Sequence, residues 1–151
     1  MNIYFSCSIT GGRQDEPVYQ AIVQALLGRG HTVPTAHLSE PGVTALEAHV
    51  SPGEVYQRDM AWIDACDAMV AEVSTPSHGV GYEIAAALER GKPVLCCYAA
   101  GKRVSKMITG NTHPQLRLAA YADAAGVVGA VEAFLAEVQL AGQPSQPVSG
   151  F

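Results

Sequence analysis

The sequence predicts an α/β fold: a single domain built on a five-stranded parallel sheet with helices on both faces. Three observations predict it. Short apolar runs rich in β-branched and aromatic residues alternate with longer segments of helical spacing. With 151 residues, 48% of them hydrophobic, the chain is long enough to bury roughly two-thirds of its unfolded surface in one core. Strand-then-helix alternation calls for parallel pairing, because each return to the sheet crosses one of its faces.

The elements follow in order. NIYFSCSI reads as a buried first strand, ending in the glycine turn TGGR. Pro17 suits the first turn of a helix over VYQAIVQALLGRG, closed by Gly28 or Gly30. HTVPTAH is read as the second strand, and residues 38–53, which mix Pro, Gly, Ser and acidic residues without a period, as a loop near the site. Ser51 caps and Pro52 opens a helix over SPGEVYQRDMAWIDACD, with Val55, Met60, Ile63 and Cys66 at helical spacing. DAMVAEV is the third strand, KPVLCCY the fourth and HPQLRLAAY the fifth, with a helical turn in GKRVSKMITG and a final amphipathic helix over GVVGAVEAFLAEVQ. The domain is expected to span 1–138, leaving 139–151 as a flexible tail. The whole is a Rossmann-like or flavodoxin-like arrangement, in which ligands sit outside the carboxyl ends of the strands. That rule gathers SITGGR, TPSHGVGYE and YAAGKRVSK around one crevice.

Composition narrows the function. A formal net charge of -5 and nine Lys and Arg residues argue against a nucleic acid polymer as partner. Cys7, Cys66, Cys96 and Cys97 show no CxxC spacing and no secretory signal precedes them, so reduced thiols and a cytoplasmic location are expected. Apolar runs fall short of the ~18 residues that span a bilayer, so no membrane association is expected. Neither the cysteines nor His31, His37, His49, His78 and His113 show ligand spacing, so no metal is expected. The first loop matches neither GxGxxG nor the Walker pattern, and no cofactor is expected.

The loops offer anion chemistry. SITGGR presents N–H groups at Gly11 and Gly12, hydroxyls at Ser8 and Thr10 and the guanidinium of Arg13, a set suited to a phosphate. A turn that needs glycine for positive φ explains the same residues equally well. Ser77 and Gly79 repeat the offer ahead of a second helix, and residues 101–117 add Lys102, Arg103, Lys106 and Arg117 with no acidic residue. Glu83 reads as a first-turn glutamate that serves either helix stability or nucleophilic chemistry. With Asp59, which shares a helix face with Trp62, it makes the carboxylate pair that glycosidic cleavage through an oxocarbenium-like transition state needs.

YFSCSITGGR, QRDMAWIDACDAMVAEVSTPSHGVGYE and GKRVSKMITG together resemble the 2'-deoxynucleoside 5'-phosphate N-hydrolases, the Rcl type of the nucleoside 2-deoxyribosyltransferase family, over almost the whole chain to about residue 138. The resemblance implies a nucleotide substrate, Glu83 as nucleophile, Tyr4 as the group that positions it, and Asp59 as proton donor to the leaving base. It implies a phosphate site of Ser8, Ile9, Thr10, Gly11, Ser77 and Gly79, with Ser105 contributed across a homodimer interface, and a base sandwiched by Ile9 and Met107. Thr10 and His78 stand where the animal enzymes carry arginine and leucine. Two other readings remain: a transferase that passes the sugar to a second base, and a non-catalytic nucleotide-binding module in which Glu83 only supports its helix.

Overall fold

Ile3–Ser6 (β1), Ala68–Glu72 (β2), Val94–Ala99 (β3) and Leu116–Tyr121 (β4) form a parallel sheet in the order β1-β2-β3-β4, in a computed structural model that describes residues 1–142. The strand expected over HTVPTAH does not form, so the sheet has four strands and not five. That segment contributes one isolated bridge, Asn2 to Thr32, with Ile3 N–H on the Thr32 carbonyl at 2.8 Å. Pro34 has no N–H to extend a ladder. The chain turns at once into a 3-10 turn, Ala36–Ser39, and the Phe5 N–H goes instead to the side chain of Thr35, Oγ1, at 2.9 Å.

Alternation along each strand divides the core into two layers. Ile3, Phe5, Val70, Leu95 and Cys97 pack under helices Glu16–Gly28 (α1) and Ala124–Ala141 (α6). Tyr4, Met69, Ala71, Val94 and Cys96 face the other way, under Pro52–Ala65 (α3) and His78–Glu89 (α4). All are fully or almost fully buried, each large apolar side chain contributing about 1.5–3 kcal/mol. The four cysteines are buried and free.

The ends of the helices follow from local sequence. A proline in the first turn opens α1, and α3 starts in a capping box, in which Glu54 N–H donates to Ser51 Oγ and Ser51 N–H to Glu54 Oε2. The expected loop 38–53 carries a further short helix, Val43–Glu47 (α2). Another turn of helix, Lys106–Thr109 (α5), lies where GKRVSKMITG led one to expect it. α6 runs on to Ala141, two residues past the expected helix end at Gln139, and residues 143–151, most of the expected tail, lie outside the described residues. By length and composition alone α6, with 18 residues and mean hydropathy 1.5, is apolar enough to cross a membrane, contrary to the expectation from its sequence. Val127, Val131, Phe134 and Leu135 bury its inner stripe in the core, and its only charges are Glu132 and Glu137.

Candidate active site

The strand ends bring the three loops together. Thr10 and Gly11 after β1, Thr75, Pro76 and Ser77 after β2, and Arg103 to Met107 after β3 line one cleft of about 950 Å³. Gly11 is the point of closest approach. A Cβ there would collide with the Pro76 carbonyl and stand 2.8 Å from Ser8 Oγ, so only glycine lets the first two loops touch. Gly12 has φ +127°, a conformation that side chains resist.

Ser8 is fully buried behind Gly11, and its hydroxyl has no hydrogen-bond partner. An unpaired buried hydroxyl costs about 1–3 kcal/mol, which a bound anion would recover. Ser77 caps α4, its Oγ accepting from Val80 N–H at 3.4 Å, so Gly79 lies inside the helix and not before it. Ser105 and Met107 line the cleft, Met107 with 84% of its surface exposed. The side chain of Ile9 instead packs against the layer under α1 and α6, which leaves Met107 as the exposed apolar group of the expected pair.

Arg13 is not available to an anion. Its guanidinium donates to Glu16, to the Leu38 carbonyl at 2.7 Å and to the Glu40 carbonyl at 3.1 Å, and it lies over the Tyr19 ring. It therefore ties the first loop to segment 38–40. Arg117 likewise turns away, to Glu137, whereas Arg103 and Lys106 line the cleft.

Beside the cleft lies a second cluster. Tyr4 Oη donates to Glu83 Oε1 at 3.0 Å and Ser6 Oγ to Oε2 at 2.5 Å. The helix begins at His78, so Glu83 sits in its second turn and not the first, where the macrodipole is weaker than its sequence position suggested. Burial pushes the Glu83 carboxyl up to about 7, against the pull of the Ser6 and Tyr4 hydroxyls, with Asp59 adding to the rise and Arg58 opposing it. Burial, with Glu83 and Asp59 nearby, raises the Tyr4 phenol far above its usual range, so it stays a donor.

Asp59 is held by its neighbour, Arg58 Nε donating to Oδ1 at 2.9 Å. Burial lifts its carboxyl above the usual range, which that guanidinium only partly offsets. Arg58 also grips both oxygens of Glu47 at 3.2 and 3.1 Å and lies 4.9 Å from the Trp62 ring centroid. His37 reaches Glu47 at 3.2 Å and meets Trp62 edge-on. None of Tyr4, Asp59 or Glu83 lines the 950 Å³ cleft, which follows the face of α4 that carries Val80, Gly81, Ile84 and Ala85. Glu83 on α4 and Asp59 on α3 therefore stand outside the cleft, and the loop that ends in Ser77 leads into α4.

Ser6, Arg58, Glu47 and His37 escape the sequence reading. Ser6 had a signal, for it stands two residues after Tyr4 on a strand and must share its face. Among the described residues no group of His, Cys, Asp and Glu side chains is arranged to hold a metal ion.

Residues 3–134 match the family model described as nucleoside 2-deoxyribosyltransferase. The chain belongs to the nucleoside 2-deoxyribosyltransferase family. A protein of Methanococcoides burtonii with the provisional name 2'-deoxynucleoside 5'-phosphate N-hydrolase 1 is 40% identical over 116 residues, 77% of this chain and 95% of the relative. A 5-hydroxymethyl-dUMP N-hydrolase of Esox lucius is 42% identical over 115 residues, 73% of this chain and 79% of the relative. The solved structure of a CMP N-glycosidase from Clostridium botulinum superposes with a TM-score of 0.67 at 19% identity, covering 88% of this chain and 99% of that one, and shares the fold.

Proposed function

We propose that this member of the family is a nucleotide N-hydrolase, cleaving the N-glycosidic bond of (2'-deoxy)nucleoside 5'-monophosphates to give free base and (deoxy)ribose 5-phosphate. One observation carries the reading: a half-buried glutamate, gripped at both oxygens by hydroxyls from one strand, with the carboxyl of Asp59 close enough to act on its charge. The names of the relatives, N-hydrolases of nucleoside 5'-phosphates, support the substrate class.

Ionised Glu83 attacks the anomeric carbon as the base departs, and Asp59 gives its proton to the leaving nitrogen. Water then attacks the same carbon and frees the carboxylate, so the sugar passes through a covalent glutamyl ester. Tyr4 fixes the angle of attack. Ser8, Thr10, Gly11 and Ser77 take the 5'-phosphate, and Met107 covers the base. Ser105 acts across a homodimer interface, which makes the second subunit part of the site.

Replacing Glu83 with alanine tests the reading. A panel of ribo- and deoxyribonucleoside monophosphates, scored by released base, is expected to show hydrolysis in the wild type and none in the variant. Hydrolysis that survived Glu83→Ala would remove the nucleophile assignment, and an inactive wild type across the panel would leave only a binding module. Added free base that appeared in a new nucleotide would turn the hydrolase into a transferase.

A further inference from the structure

We infer that Ser6 is a positioning residue for the reaction: its hydroxyl fixes the second oxygen of the Glu83 carboxylate, so that β1 alone sets the orientation of the nucleophile. The inference rests on the role of Glu83 given above. Tyr4 and Ser6 are two residues apart on an extended strand and therefore point to the same face, toward α4. Each donates to a different oxygen, at 3.0 and 2.5 Å. Rotation of the carboxylate about its terminal bond would break both contacts at once.

Burial sharpens the argument. Ser6 is 1% exposed, so a hydroxyl that lost Glu83 would have no water to replace it. Glu83 faces Tyr4 and Ser6 from β1 and Asp59 and Arg58 from α3. Burial raises its carboxyl most, Asp59 adds to that, and of the groups that oppose the rise Ser6 comes first, ahead of Tyr4 and Arg58. The Ser6 hydroxyl, bonded to the charged form, thereby opposes the protonation that burial favours.

The same donor serves both chemical steps. When one oxygen of Glu83 bonds to the anomeric carbon, the electron pair of the glycosidic bond leaves with the base. When water attacks that carbon, the ester bond breaks and its electron pair returns to the carboxylate. Hydroxyls already aimed at the two oxygens stabilise that returning charge without reorganisation.

Carbon-13 NMR of protein labelled at its glutamate carboxyls tests this without any substrate, Glu83→Gln identifying the resonance. Ser6→Ala is expected to move the Glu83 midpoint up by about one unit and to carry the acid limb of kcat/KM with it. It should lower kcat roughly tenfold and leave KM within about twofold. Ser6→Cys, close in size and a weaker donor, should shift the midpoint the same way by less, which guards against misfolding of the alanine variant. An unchanged Glu83 midpoint in both variants would overturn the inference. Since that midpoint is read on free protein, a wild type that released no base from any nucleotide would defeat the proposed function and leave the Ser6 test standing.

Discussion

Tyr4 and Glu83 meet across 79 positions of sequence, a fully buried phenol donating to Oε1 of the carboxylate at 3.0 Å. Tyr4→Phe keeps the ring and removes the donor. A hydrogen bond to a charged group is worth about 1.5–3 kcal/mol, so kcat should fall by roughly one to two orders of magnitude with KM little changed. Steady-state kinetics on a nucleotide that the wild type hydrolyses would check it, and a change confined to KM would contradict it.

In the proposed mechanism the Glu83 carboxyl sets the acid side of the pH profile. It must be ionised to attack, and burial holds it at about 7, so kcat/KM should rise as pH climbs through that value. As the proposed proton donor Asp59 must carry its proton, and burial shifts its carboxyl in the direction that favours the protonated form.

Stability runs the other way. Between the ordinary carboxylate range and about 7 the folded protein keeps a proton that the unfolded chain has released, so Glu83 costs stability as pH rises through that window. Below it the cost vanishes. Glu83→Gln should therefore melt several degrees higher than wild type at pH 8, a gain on the order of 2 kcal/mol, and lose that advantage near pH 4. Thermal unfolding at the two pH values decides it.

Arg58 links Asp59 to Glu47 and lowers both carboxylates of the site. Arg58→Gln should therefore move the acid and the alkaline limbs together toward higher pH, because Glu83 and Asp59 both lose a nearby positive charge. Burial pushes Glu47 up, and Arg58 and His37 outweigh it. The same variant leaves Glu47 with His37 alone and should make segment 36–50 easier to cleave by protease. A profile that narrowed or widened without moving would count against the linkage.

Gly11→Ala drives a methyl group into the Pro76 carbonyl and Ser8 Oγ, both at the junction of the first two loops. Overpacking of that kind costs about 1–3 kcal/mol, and it falls on the phosphate end. KM should rise more than kcat falls. Gly53→Ala, where a Cβ meets nothing within 4 Å, serves as the neutral control.

Mixing Glu83→Ala with Ser105→Ala protein and allowing subunits to exchange tests the homodimer. Recovery of activity is expected if Ser105 acts in trans, since one of the two hybrid sites then holds both groups. No recovery would assign Ser105 to the cleft of its own chain, beside Ser77.

The chain displays its fold where local signals agree with tertiary packing. Four strands and the long helices stand where periodicity and capping residues put them, Ser51 and Pro52 being the clearest case. HTVPTAH misled because Val33 and the flanking threonines favour a strand, whereas Pro34 denies it the ladder. Glu83, Tyr4 and Asp59 stand in motifs that marked them as candidates, and the fold brings the three together. Arg13 was not, because what it binds are backbone carbonyls of Leu38 and Glu40, and every residue supplies a carbonyl. Glu47 was equally hidden, lying in a segment without a period and acting on Asp59 only through Arg58.

The hydroxyl of Thr35, which occupies the Phe5 amide in place of a neighbouring strand, has a consequence for assembly. The outer margin of β1 offers an incoming chain little beyond the single bridge at Thr32, because its central donor is already taken by a side chain that cannot propagate pairing. Two copies therefore have no means of joining their sheets edge to edge along the strand that carries Tyr4 and Ser6. Any contact made on that side must use side chains, helices and loops, and the backbone of β1 beneath Glu83 is spared the distortion that a continuous intermolecular sheet would impose.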